Sequence, residues 1–306
     1  MSTSANGQTA AVLHESIEAL LAAHPGEQSP EKIMRRLARE KVACAKSYLW
    51  SGPPYCPKEL ASLFGIKCRE VNHDIDGDGR ILLRPNGKIE IEYRSGRMPA
   101  RQRFTIFHEF AHTLFPDYCT FLPCYHRPNR KQPDPIRQFE HLCDVGASEM
   151  LLPADDFMAD LSKLTWLGFE SVFKLQNRYH SSIDATIYRM IDLATSVGFA
   201  AAFLTDQRGD NSGYGPLWIK HISKNALFKS FVPGGTTPPS NSVAIQCYRN
   251  KLELSNAVKE TWWINGSPRT WFVQAAQLPA VPEDKNYPKV VALLFPSGYW
   301  KNYVSN

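Results

Sequence analysis

Apolar residues Phe104, Phe107, Phe110, Ala111 and Leu114 recur at three- and four-residue intervals, which predicts a helix that buries one side, with Pro116 ending it. A second helical run opens at Asp134-Pro135, an N-cap followed by proline in the first turn, and closes at Pro153. Phe139, Leu142, Cys143, Gly146 and Ala147 make it apolar around most of its circumference. Between 79 and 94 the period changes to two. Residues 79–84, a Pro85-Asn86-Gly87 turn and residues 88–94 read as a hairpin, with Ile89, Ile91 and Tyr93 on a buried face and Lys88, Glu90 and Glu92 on the other. Upstream, helices are predicted over 11–23, from Ser29-Pro30-Glu31 to Tyr48, and over 57–64, while residues 1–10 are small and polar, as in disordered segments.

Residues 166–195 read as two helices around a tight His180-Ser181-Ser182 junction, with Phe173, Leu175, Tyr179, Ile183, Ile187, Met190 and Ile191 as their apolar set. The second helix offers only Arg189 as a basic side chain, too little for a DNA-reading helix, so packing against the preceding domain is expected and direct DNA binding is not. From Gly198 onward the pattern becomes short strands at 200–204, 217–222, 243–248, 270–275 and 290–295, separated by Gly/Pro turns. Trp262, Trp263 and Trp271 are expected in that core. The fold class is α+β, organised as a tail and short helix (1–28), a first domain (29–165), a helix-turn-helix-like segment (166–196) and a C-terminal α+β domain (197–306).

The chemistry lies on the two central helices. His108 and His112, four residues apart, face one side of the first helix and can share a metal ion, and Glu109 stands beside the position left open on it. A catalytic zinc site takes three protein ligands. On the second helix Glu140 and Asp144 share a face, which suits one carboxylate as the third ligand and the other as acceptor of a ligand histidine's free ring N–H. Glu140 is assigned as ligand and Asp144 as that acceptor; His141 points about 100° away. Asp74-Ile75-Asp76-Gly77-Asp78-Gly79 imitates a calcium loop, but its twelfth position is Pro85, and it reads as a turn. Cys119, Cys124 and His126 lack a fourth partner for a second zinc site, and Tyr118, Tyr125 and His126 are alternative oxyanion stabilisers among which the sequence does not choose.

At 306 residues, 43% hydrophobic and 21% charged, the chain has the composition of a soluble globular protein of two or more domains. No apolar run approaches a membrane span, and no signal peptide is evident. Seven scattered cysteines fit a reducing cytoplasm. The net charge of +5 permits nucleic-acid contact without suggesting it.

The ordered set Arg103-Phe104-Thr105-Ile106-Phe107-His108-Glu109-Phe110-Ala111-His112, Glu140-x-x-Cys143-Asp144 and Ala147-x-x-x-Leu151-Leu152-Pro153 resembles the ImmA/IrrE family of cytoplasmic metallopeptidases. The similarity runs from about Pro54 to Leu193 and departs from the family at Ala111, often glycine there, and at Asp144, often asparagine. It implies a zincin-like (gluzincin-type) domain with a small sheet and an active-site helix, with zinc held by His108, His112 and Glu140 and with Glu109 as catalytic base. Manganese is compatible with the same ligands. It further implies a GAF-like C-terminal domain open to a small-molecule signal. The implied substrate is a helix-turn-helix transcriptional repressor, whose cleavage switches on a stress-response or mobile-element programme. The rival reading is a non-proteolytic DNA-binding or repressor-binding regulator with a structural metal.

Overall fold

The computed structural model describes residues 13–121, 134–206, 217–278 and 289–299; residues 1–10, Cys124, Tyr125 and His126 lie outside this set. The chain divides into two compact units, Met1–Pro153 with Tyr179–Ser181, and Ala154–Arg178 with Ser182–Asn306.

In the first unit, α1 (Glu15–Ala23), α2 (Pro30–Tyr48) and α3 (Pro57–Leu63) precede strands β1 (Lys67–Val71), β2 (Gly79–Leu83) and β3 (Ile89–Arg94), followed by α4 (Pro99–Ala111), α5 (Tyr118–Phe121) and α6 (Asp134–Leu151). Ser29 caps α2 by accepting the Lys32 N–H, with Pro30 in the first turn. The hairpin forms as its period indicates, pairing Gly79 with Tyr93 through Leu83 with Ile89. β1, which has no alternation to mark it, joins the other side of β3 in parallel, giving the order β1-β3-β2.

The outer face of that sheet differs from the expected solvated one. Glu92 is buried because Arg69 of β1, Arg80 of β2 and Arg84 of the turn close over it, with Arg80 Nη2 2.5 Å and Arg84 Nη2 2.9 Å from its carboxylate. On the inner face α4 packs against β2 and β3.

α6 packs against both α2 and α4. A β-carbon on Gly146 would lie 3.1 Å from the Ala111 β-carbon, so the small residues bring α6 and α4 into close approach. Glu149, fully buried, is held by Arg39 at 2.9 Å and Arg35 at 3.5 Å on α2.

The second unit comprises α7 (Ala154–Leu161), α8 (Phe169–Tyr179) up to Arg178, α9 (Ile183–Leu193), β4 (Ala200–Asp206), β5 (Leu217–Lys224), α10 (Val243–Asn250), β6 (Val258–Ile264), β7 (Ser267–Gln277) and β8 (Lys289–Pro296). Its antiparallel sheet has the order β5-β4-β8-β7-β6. Trp262, Trp271, Val273 and Leu294 form one core with Val243, Ala244 and Cys247 of α10.

Two expectations change in this unit. Residues 243–248 are helical, because Ser242 accepts the Ala244 N–H as N-cap, and the apolar residues fall on one helical face. Trp263 is 68% exposed, since it alternates with the buried Trp262 along β6. In α8 the Phe169 N–H donates to Gln274 of β7 at 2.8 Å, and in α9 Tyr188 meets His221 of β5 at 2.6 Å. Arg189 is buried and paired with Asp192 at 3.0 Å, so α9 does not present it to a nucleic acid. No helix among the described residues is long and apolar enough to cross a membrane.

Candidate metal centre

His108 and Glu109 lie in the last turn of α4, and His112 opens a short 3-10 turn, His112–Leu114. His112 keeps helical angles (φ −55°, ψ −31°), so the four-residue spacing still places both rings on one face. All three side chains are buried. Glu140 reaches them from α6, and one ligand atom from each of His108, His112 and Glu140 lies within 4.8 Å of the others.

Both imidazoles turn Nε2 to this centre. His108 Nε2 is 3.2 Å from Glu140 Oε2, and His112 Nε2 is 4.0 Å from Glu140 Oε1 and 3.9 Å from Glu109 Oε2. The opposite ring nitrogens face α6: His108 Nδ1 lies 2.8 Å from Asp144 Oδ1, and His112 Nδ1 lies 3.5 Å from Cys143 Sγ. The His112 ring also packs on Phe139, which packs on Phe115.

A metal ion fits this set. Glu140 Oε1 is buried and has no hydrogen-bond partner among the described residues, a costly arrangement for a carboxylate unless a cation satisfies it. Two imidazole nitrogens and a carboxylate oxygen suit zinc and do not exclude manganese. Electrostatics point the same way. Burial alone would lower the His108 pKa, but its hydrogen bonds to Asp144 and Glu140, with Glu109 nearby, overcome that and raise it to about 10. The pocket therefore favours positive charge.

The five residues singled out from the sequence thus come together. His141 is exposed and faces Glu31 at 3.1 Å, away from the centre. The acidic turn is neutralised by arginines, with Asp74 2.5 Å from Arg94, and Asp78 2.9 Å from Arg97 and 2.5 Å from Arg101. Cys119 is exposed, and Tyr118 opens α5. Two neighbours of the centre escaped the sequence reasoning. Cys143 had a signal, three residues beyond Glu140 and beside Asp144. Gly79, whose β-carbon would press on Glu109, had none.

Residues 64–190 match the family model described as Peptidase_M78, IrrE N-terminal-like domain. The chain is similar to the radiation response metalloprotease IrrE of Deinococcus deserti, with 29% identity over 216 residues that cover 65% of this chain and 75% of the relative. In fold it is similar to a solved structure described as a Mycobacterium tuberculosis transcriptional regulator, with a TM-score of 0.56 and 16% identity, covering 95% of this chain and 84% of that one. Residues 64–190, which carry both histidines and Glu140, thus resemble the ImmA/IrrE family of metallopeptidases.

Proposed function

We propose that this protein is a cytoplasmic zinc-dependent endopeptidase that cuts a helix-turn-helix transcriptional repressor at one site and so derepresses a stress-response or mobile-element programme. The observation that carries the reading is the convergence of His108, His112 and the unsatisfied Glu140 carboxylate around an ion-sized space, with Glu109 at its edge. His108, His112 and Glu140 hold the metal. A bound ion would supply Lewis acidity toward the scissile carbonyl and the attacking water. Glu109, 3.9 Å from His112, takes the proton of the attacking water and passes it to the leaving amine.

An extended peptide has a place to lie. β2 is an edge strand. The bonds Arg94 N–H to Asp78 O and Arg84 N–H to Lys88 O put the even-numbered residues in register with β3, which leaves Gly79, Ile81 and Leu83 directing their N–H and C=O groups outward. Gly79 adjoins Glu109, so a substrate strand added to this edge runs past the catalytic base. A folded helix would not fit that edge, which favours a cut in an exposed linker of the repressor. A GAF-like sensing role for the C-terminal α+β unit, responding to a small molecule, completes the proposal.

The rival, a non-proteolytic regulator with a structural metal, is disfavoured by the burial of Arg189 and by a glutamate placed beside the centre that a structural site does not need. The Glu109→Gln variant separates the two. It should retain zinc and bind the repressor while the repressor stays intact, whereas wild type yields two fragments by mass spectrometry. Equal release of the repressor from DNA by both proteins, with no fragment formed, would replace the peptidase reading with the rival.

A further inference from the structure

One turn of α6 carries more of the centre than its ligand. Glu140 enters the centre, and three and four residues later Cys143 and Asp144 diverge by about 100° toward the backs of the two histidines. Asp144 faces Nδ1 of His108 at 2.8 Å; Cys143 Sγ faces Nδ1 of His112 at 3.5 Å, within the longer reach of sulfur. Both Cys143 and His112 are buried, so water does not substitute for the thiol.

We propose that Cys143 is the positioning residue for His112, its thiol sulfur accepting the Nδ1–H and holding the ring with the Nε2 lone pair turned to the metal. The proposal rests on the metallopeptidase reading above. A histidine that ligates through Nε2 carries its proton on Nδ1, and a buried N–H needs an acceptor.

The space is short. Ala111 and Gly146 draw α4 and α6 together, and the one-atom reach of a cysteine beyond its β-carbon spans the remaining gap. The two histidines are therefore supported unequally, His108 by a carboxylate and His112 by a thiol.

The test uses the full-length chain and zinc affinity measured by chelator competition, with the unfolding temperature of the metal-free form as a packing control. Cys143→Val fills a similar volume without an acceptor, Cys143→Ala covers the case in which valine does not fold, and Cys143→Ser restores an acceptor. Valine or alanine should weaken zinc binding by about tenfold and serine by no more than about threefold, with Asp144→Ala as the reference for losing an acceptor behind a ligand. In the zinc-loaded wild type, imidazole nitrogen NMR should show a protected Nδ1–H on His112. Wild-type affinity in Cys143→Val or Cys143→Ala, an equal loss in serine and alanine, or a solvent-exchanging His112 Nδ1–H would each overturn the role of Cys143. Those results leave the metal reading intact, whereas a wild type that binds no zinc removes both.

Discussion

A β-carbon on Gly79 would stand 2.3 Å from Thr105 Cγ2 and 3.2 Å from Glu109 Oε1, so the start of β2 is shaped around the carboxylate that is to act as base. Thr105 is β-branched and part of α4, and it has little freedom to move aside. Gly79→Ala should therefore lower stability by about 1–3 kcal/mol through overpacking. Its activity should fall more sharply, roughly a hundredfold for a displacement of the base by about an ångström. Zinc stoichiometry should stay at wild type, because none of the three metal-holding side chains meets that β-carbon. Thermal unfolding, metal analysis and repressor cleavage measured together check this, and full cleavage with wild-type stability would show that Thr105 yields easily. At this scale the sequence disclosed the residues that define chemistry by spacing, His108, Glu109, His112, Glu140 and Asp144. Gly79 reads only as the first residue of a strand, since its importance lies in what crosses it 26 to 30 residues later.

Among elements, the small sheet shows how an alternating pattern can mislead. Glu92 occupies the polar side of a well-patterned strand, yet arginines from both neighbouring strands and the turn enclose it. Burial alone would raise its pKa, but hydrogen bonds from Arg80 and Arg69 win and hold it at about 2. Because the folded value lies below the unfolded one of 4.5, Glu92 contributes stability above pH 4.5 that fades as pH falls toward 2. Glu92→Gln should cost about 2 kcal/mol at pH 7, the scale of a hydrogen bond to a charged group, and the gap to wild type should narrow at pH 3.5. Urea unfolding at both values measures it, and a gap that does not change with pH would contradict the ion-pair account. Two further elements illustrate the limits of periodicity. The run 243–248 is apolar enough for a strand, and the Ser242 cap tips it to helix α10. β6 had a legible signal that went unused: Asn265-Gly266, both with positive φ, form the two-residue turn joining β6 to β7.

For the whole molecule, the compact units suggest where the chain can be cut. His108, Glu109, His112, Glu140, Cys143 and Asp144 all precede Pro153, within the first unit. A fragment ending at Pro153 should bind one zinc per chain and remain monomeric, although it forgoes the Tyr179–Ser181 segment that groups with that unit. One ending at Thr195 should also bind zinc but self-associate, because α8 and α9 lose the sheet that Phe169 and Tyr188 contact through Gln274 and His221. Zinc analysis and size-exclusion chromatography distinguish them. A Pro153 fragment that is folded yet cannot hold metal would mean that the centre depends on the second unit.

The sequence by itself determined the metal-binding chemistry, because a helix converts a spacing of four into a shared face regardless of what surrounds it. It also determined the hairpin and the caps of α2, which depend on residues a few positions apart. Only the tertiary structure decided which carboxylate oxygen remains unsatisfied at the centre, that Cys143 stands behind His112, that Gly79 adjoins Glu109, and that α8 and α9 belong with the C-terminal sheet. Each of those facts arises from the approach of segments distant in the chain, where small residues such as Ala111 and Gly146 set the separation. Local propensity carries no information about such distances; packing does.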